Sequence, residues 1–170
     1  MMRVGLIADT HDRIPVIAEF VKLMQEAGVA MLIHAGDYCA PFALSPIEEA
    51  SMSLAGVFGR NDGDRQGLLA KATAGFGAEL YEGPHSFELG GQRLLVVHDI
   101  GDVQPRSIEG HSIVVHGFTH QQEMKHRGDT LIVNPGEGCG WLYGTPSAAI
   151  LDVDSRRVEF LTLRGPEWKF

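Results

Sequence analysis

The sequence predicts an α/β fold in which two mixed β-sheets stack on each other and are flanked by helices. Two patterns carry that expectation: a first half in which strand-length apolar runs alternate with helical stretches, and a second half in which strand-like runs outnumber helical ones. Residues 3–8 (RVGLIA) form the first apolar run, and the polar residues Asp9, Thr10, His11 and Asp12 follow it at once. Over residues 13–27 the apolar side chains Ile14, Ile17, Phe20, Val21, Met24 and Ala27 recur every three or four positions, the stripe of an amphipathic helix. Asp12 is expected to cap that helix and Gly28 to end it; Pro15 falls in the first turn, where the N–H it lacks has no intrahelical partner. Residues 29–34 (VAMLIH) and 54–58 (LAGVF) read as the next two strands, and they run into Ala35-Gly36-Asp37 and Gly59-Arg60-Asn61-Asp62. Alternation of this kind gives a parallel sheet, and such sheets hold ligands beyond the carboxyl ends of their strands. Farther on, the runs 86–89, 93–98, 112–116, 130–134, 147–154 and 157–163 are strand-like, with glycine-rich turns at Gly90-Gly91 and 136–144. These runs are expected to build the second sheet.

A length of 170 residues supports one sizeable core, so a single domain over 1–170 is expected. The hydrophobic fraction of 44% and charged fraction of 21% are those of an ordinary globular protein and exclude a disordered or fibrous chain. A net charge of −8 repels phosphate polymers, so broad nucleic-acid binding is not expected. Cys39 and Cys139 are too few for a disulfide framework, and a strand pattern stands at the N-terminus in place of a signal peptide, which together point to the cytoplasm. No apolar run approaches the roughly 20 residues that cross a bilayer. Homo-oligomerisation is left open.

Five short clusters end these strands: Asp9-x-His11, Gly36-Asp37, Gly59-Arg60-Asn61-Asp62, His98-Asp99 and His116-Gly117-Phe118-Thr119-His120. Asp and His offer carboxylate oxygen and imidazole nitrogen, and mixed oxygen and nitrogen sites suit Mn, Fe, Zn or Ni. A lone histidine at a strand end is more often hydrogen-bonded to backbone than bound to an ion; the order and placement of all five clusters point to a metal site.

In that order the clusters resemble the calcineurin-like metallophosphoesterases, in particular their small single-domain bacterial and archaeal phosphodiesterase branch. The resemblance runs from Arg3 through the turn Asn134-Pro135-Gly136 to the last strands. It implies a four-layer αββα sandwich, a divalent metal cofactor (Mn2+ first, with Zn2+, Fe2+ and Ni2+ as alternatives), and hydrolysis of small phosphate esters by metal-activated hydroxide. By position it also implies that a first metal is held by Asp9, His11, the bridging Asp37 and His120. The family's second metal takes the bridging Asp, an Asn after the glycine of a Gly-Asn-x-Asp turn, a strand-ending His and the first His of a Gly-His-Thr-His turn. Here Asp37 and His98 remain, while Arg60 and Phe118 stand at the other two positions. Neither replacement has an atom that can ligate, so one metal is expected and the second is in doubt.

Arg60 puts a permanent cation near the place of the second metal, and its fork matches phosphate oxygens. Two readings stay open: a phosphoryl clamp that takes over the second metal's charge, or an internal salt bridge to Asp37 or Asp62. Asn61 stands where related enzymes often carry an acidic histidine; an amide cannot transfer a proton at neutral pH but can hydrogen-bond a phosphate oxygen. Asp62 is expected to orient its neighbours rather than ligate, although with Asp64 it also reads as a solvated acidic run. His98 is a remnant of the second site, and Asp99 after it stands where the family usually has glycine. The candidate catalytic set is thus Asp37, Arg60, Asn61 and His98. His34, His85, His111, His116 and His126 read as structural or exposed, and the two cysteines as small buried residues. The competing function is a binding scaffold that keeps the fold without turnover, as the retromer subunit resembling this family shows to be attainable.

Overall fold

The computed structural model describes residues 1–169. The first sheet contains β1 (Arg3–Ile7), β2 (Met31–His34), β3 (Ser53–Val57) and β4 (Ala78–Tyr81). The second contains β5 (His85–Leu89), β6 (Gln92–Val96), β7 (Ile113–Val115), β8 (Gln122–Arg127) and β9 (Thr130–Pro135). The last two strands, β10 (Ser147–Asp152) and β11 (Arg157–Thr162), return to the first sheet, whose order is β11-β10-β1-β2-β3-β4. Strands β1 to β4 are mutually parallel, and β10 runs antiparallel to β1. In the second sheet, ordered β5-β6-β7-β9-β8, the three inner strands are parallel and both edges antiparallel.

Side-chain alternation on the shared strands sorts the apolar residues into layers. Val4, Leu6 and Ala8 face the second sheet, where they meet Leu94, Val96, Val115 and Val133. Ile7, Leu32, Leu54 and Ile150 face the other way, onto Ile17, Phe20 and Met24 of α1 (Ile14–Glu26) and onto α2 (Ser45–Glu49) and α3 (Arg65–Thr73). On the outer face of the second sheet, Leu95, Val97, Val114 and Ile132 pack on Ile108 of α4 (Pro105–Glu109). The result is helix, sheet, sheet, helix, the four layers that the resemblance implied. Gly5 lets α1 approach: a Cβ there would lie 2.4 Å from the Met24 sulfur.

Three expectations need correction, and two strands need adding. The runs 147–154 and 157–163 do not join the second sheet; Ala148 and Ile150 of β10 face the helices while Ala149 and Leu151 face the other sheet, so this strand is covered on both sides beside β1. The sequence reading also missed β4 and β8. Both are edge strands, and the mostly exposed QEMKHR of β8 has no apolar alternation to detect. Finally, Asp12 does not cap α1. Arg13 holds the N-cap position without a side-chain bond, and Asp12 Oδ1 accepts the Ala40 N–H at 2.9 Å, tying the loop after β1 to the loop after β2. Gly28 does end the helix, at φ +72°, with the Val29 N–H donating to Met24 O at 2.9 Å. Among the described residues, no helix is long and apolar enough to cross a membrane.

His34, expected to be structural, locks the end of β2. Its Nδ1 accepts the Gly36 N–H at 3.1 Å, which leaves the proton on Nε2, 3.0 Å from Thr10 Oγ1, and its ring stacks on Tyr38 at 3.8 Å. Burial lowers its pKa to about 3. The unfolded chain therefore takes up a proton near pH 6.5 that the folded chain refuses, and His34's contribution to stability is full above pH 6.5 and lost as pH falls toward 3. His34→Gln is expected to cost ~1–3 kcal/mol at pH 8 through the unpaired Gly36 N–H. The wild-type advantage should shrink steadily down to pH 5, measured by urea unfolding at both pH values; a constant difference overturns this account.

Candidate metal centre

Six strands deliver the centre. Asp9 and His11 follow β1, Asp37 follows β2, and Asn61 and Asp62 follow β3; from the other sheet, His98 follows β6, His120 follows β7 and Glu137 follows β9. All six ends lie on one edge because the strands are parallel within each sheet, with β1, β2 and β3 adjacent in one and β6, β7 and β9 adjacent in the other. The loops are tight: Asp9, His11, Asp37 and His120 have φ of 50, 41, 62 and 63°, a left-handed conformation that non-glycine residues seldom adopt and that often accompanies functional sites.

The four side chains assigned to the first metal come together. Asp9 Oδ1 lies 3.6 Å from His120 Nε2, and Asp37 Oδ2 lies 3.4 Å from His11 Nε2. His98, whose orientation the sequence left open, joins them with Nε2 3.4 Å from Asp37 Oδ2 and 3.9 Å from Asp9 Oδ1. Such separations are long for hydrogen bonds, whereas two donors each ~2.1 Å from a common ion stand ~3.0–3.5 Å apart. Asp9 Oδ1, His11 Nε2 and His98 Nε2 are moreover buried without a hydrogen-bond partner. Three unpartnered buried atoms around Asp37 are costly unless a cation meets them. The donors fall into two groups, Asp9, Asp37 and His98 in one and His11, His120 and Cys139 in the other, with His11 Nε2 3.4 Å from Asp37 Oδ2, and their oxygen and nitrogen atoms fit a divalent metal.

The remaining ring nitrogens are held by the protein, which sets the tautomers. His98 Nδ1 is 2.8 Å from Ala35 O, His120 Nδ1 is 2.9 Å from Glu137 Oε2, and His11 Nδ1 is 3.3 Å from Cys39 Sγ. A carbonyl and a carboxylate put the proton of His98 and His120 on Nδ1, so their Nε2 lone pairs face the centre. Electrostatics agree for Asp9 and His11, while at His98 the effect of burial is outweighed by Asp37 and Asp9, which raise it. Burial pushes Asp9 up to about 6 against the pull of His98 and His120, so the protein alone leaves this carboxylate undercompensated. Burial also opposes charge on Asp37, but the 3.4 Å approach of His98 and two bonds from Asn61 outweigh it and hold Asp37 well below the carboxylate range. Burial lowers His11, outweighing the pull of Asp37, and favours the neutral, ligating imidazole.

Asn61 does not stand ready for a phosphate oxygen. Its backbone N–H donates to Asp37 Oδ1 and its Nδ2 to Asp37 Oδ2, each at 2.8 Å. The alternative salt bridge of Arg60 to Asp37 or Asp62 is also absent. Arg60 lies at the rim with its side chain 53% exposed, bonded to Asp99 Oδ2 at 2.6 Å, 3.6 Å from Asp102 and 4.2 Å above the Phe118 ring. Asp62 is not part of a solvated run. It is buried and accepts the N–H groups of Asp37, Cys39 and Gly59, which makes it the orienting residue expected of it. His116 is turned into the core and paired with Glu123 at 3.1 Å. Cys139 is buried with Sγ near His11 and His120, and burial pushes its thiol up to about 12.

Two features escaped the sequence reading. Glu137 is 1% exposed and accepts the N–H groups of Leu142 and Tyr143 besides holding His120. Its only signal was a carboxylate between two glycines at a strand end. Trp141, 49% exposed, stacks on His11 with ring centroids 6.0 Å apart.

The family model of the calcineurin-like phosphoesterase superfamily domain matches residues 2–156. A phosphodiesterase of Methanocaldococcus jannaschii is 27% identical over 165 residues, spanning 95% of this chain and 99% of that protein. A probable metallophosphoesterase of Methanothermobacter thermautotrophicus is 28% identical over 177 aligned positions, spanning 96% of this chain and 92% of that protein. The solved structure of an archaeal phosphodiesterase superposes with a TM-score of 0.86 at 27% identity, over 95% of this chain and 100% of that one. Vps29 of Entamoeba histolytica shares the fold at a TM-score of 0.67 and 16% identity, over 96% of this chain and 100% of that one.

Mn2+ at 100 times its dissociation constant should raise stability by ~2.7 kcal/mol, read as an upward shift of the thermal midpoint that a chelator reverses. Glu137→Gln, which weakens the hold on His120, should lower Mn2+ affinity ~10- to 100-fold by calorimetric titration. Unchanged affinity would remove Glu137 from the support of the centre.

Proposed function

The chain belongs to the calcineurin-like phosphoesterase superfamily, and from that premise we propose that it is a metal-dependent phosphodiesterase-type enzyme that hydrolyses small phosphate esters at the centre described above. The observation that carries this reading is that Asp9 Oδ1, His11 Nε2 and His98 Nε2 are buried without partners at the strand ends, both imidazole nitrogens 3.4 Å from Asp37 Oδ2 and Asp9 Oδ1 3.9 Å from His98 Nε2. A scaffold without an ion gains nothing from keeping three such atoms desolvated.

Asp9, His11, Asp37 and His120 hold the ion, with His98 beside them. A divalent ion there, Mn2+ by preference, supplies Lewis acidity for a water nucleophile and for a phosphoryl oxygen. Asn61 keeps Asp37 charged and in place. Arg60 provides at the rim the positive charge that a second metal brings to dinuclear relatives, and its free donors are available to phosphoryl oxygens because Asp99 engages only part of the fork. Phe118 occupies the position of the missing ligand, so the proposal is one ion and one guanidinium in place of two ions.

Elemental analysis of the purified protein should find about one equivalent of divalent metal, and Mn2+-supplemented protein should hydrolyse bis(4-nitrophenyl) phosphate. Metal-free, inactive protein under Mn2+ supplementation supports the scaffold instead. Arg60→Ala should lower kcat/KM ~10- to 100-fold, the ~1.5–3 kcal/mol of a charged hydrogen bond, with bound metal unchanged. The double variant Arg60→Asn with Phe118→His should raise the metal content toward two equivalents; no increase means that these positions are not the altered second site.

A further inference from the structure

Loop 141–143 carries three large apolar side chains into solvent: Trp141 is 49%, Leu142 68% and Tyr143 57% exposed. A cluster of this kind marks a contact surface. Its position is set by the metal centre itself. The Glu137 carboxylate accepts the Leu142 and Tyr143 N–H groups at 3.0 and 2.7 Å while holding His120 Nδ1 at 2.9 Å, so one buried acid fixes both an ion-facing imidazole and the apolar loop. The indole of Trp141 lies over His11, tilted by 30°. Gln121, next after His120, donates from Nε2 to the Tyr143 hydroxyl at 2.6 Å, a second tie between loop and centre. Beside it opens a cavity of about 290 Å³ lined by His120, Gln121, Tyr143, Thr145, Thr162 and Arg164. Phe118, 40% exposed, meets His98 edge-on, so aromatic surface lies against both His11 and His98.

A phosphate group alone has no use for such walls. A diester brings organic arms, and a planar ring is the arm that an indole face binds best, since stacking rewards flat π surface whatever its edge chemistry. We propose that Trp141 is a specificity-determining platform that stacks a planar aromatic ring, aryl or nucleobase, carried on an ester arm of the substrate, with Glu137 holding the platform in register with His120. The proposal rests on the phosphoesterase reading for the phosphoryl group that anchors the arm. It does not require turnover.

The test uses Mn2+-loaded full-length protein and three monoanionic esters of methylphosphonic acid, the methyl, benzyl and thymidine 5′ esters, which resemble diesters but have poor leaving groups. Calorimetric titration should give about tenfold tighter binding for the benzyl and thymidine esters than for the methyl ester. Trp141→Ala should bring the three constants together, whereas Trp141→Phe should retain most of the preference. Because each variant is read as a ratio between esters, any disturbance of His11 by the substitution cancels. Equal affinities on the wild-type protein, no binding of any ester, or a preference that survives Trp141→Ala overturns the platform. A gain for the thymidine ester alone that persists in Trp141→Ala also overturns it and moves recognition to the cavity. A dimer that dissociates on Trp141→Ala, seen by size-exclusion chromatography together with equal ester affinities, assigns the loop to a second copy of the chain. Ring-selective binding without hydrolysis of bis(4-nitrophenyl) phosphate leaves the platform standing and removes the enzymatic reading; hydrolysis with equal affinities does the reverse.

Discussion

Two carboxylates and three imidazoles face one another at the carboxyl edge of the sheets with too few protons and partners among them. Asp9 Oδ1, His11 Nε2 and His98 Nε2 have no hydrogen bond, and burial has already raised Asp9 to about 6. A desolvated set of this kind is stable only with a cation in the middle or with its carboxyl protonated. The surrounding structure acts against protonation at one carboxyl and does little against it at the other. Asn61 and His98 keep Asp37 charged, while Asp9 receives a single backbone N–H, from Phe118 at 3.1 Å. The asymmetry makes Asp9 the group that depends most on the ion, and Asp37 the one already charged before an ion arrives.

The backbone around the centre gives way so that the side chains can meet. Left-handed φ at Asp9, His11, Asp37, Phe118 and His120 turns each chain sharply as it leaves its strand. Glycine fills the points where two loops cross: a Cβ on Gly59 would stand 2.2 Å from Asp37 Oδ1, and one on Gly36 would stand 2.8 Å from His98 Nδ1. The strain is borne by the two-sheet core beneath, where Leu6, Ala8, Ile33, Val96, Val115 and Val133 lock the parallel strands that end at the centre. Stacking the sheets is what makes the centre: each sheet alone holds only part of the donor set, Asp9, His11 and Asp37 on one, His98 and His120 on the other.

What was legible in the sequence follows the same division. Strands with one face in each core announce themselves by composition, so β1, β2, β3, β6, β7 and β9 were placed, and with them every cluster that ends at the centre. Edge strands β4 and β8 owe their conformation to pairing with a neighbour, a non-local property that a run such as QEMKHR does not carry. The allegiance of β10 was hidden for a related reason, since a strand covered on both faces reads alike in either sheet, and β11 follows it as its antiparallel neighbour at the edge. In the site, Asp and His at strand ends were visible because only their chemistry explains them there. Glu137 and the loop 141–143 were not, because an acid between glycines looks like a turn, and exposed aromatics show their purpose only when their neighbours in space are known. Asn61 takes the contact with Asp37 that one reading gave to Arg60, and the guanidinium turns outward.

That difference bears on the number of ions. Arg60, Phe118 and Asp99, three positions at which the resemblance implied other residues, are one structural unit: the guanidinium bonds Asp99 and lies over the Phe118 ring, and that ring meets His98 edge-on at 5.8 Å. A guanidinium near the centre repels an ion and a phenyl ring offers no donor, while Asp99 sits in extended backbone at φ −112° and ψ 115°. Together they are mutually satisfying, because Asp99 draws the guanidinium aside and the ring supports it from below. A site in decay has no reason to acquire partners that fit one another while the donors for the first ion stay converged. The coherence of this unit is what the proposal of one ion and one guanidinium rests on.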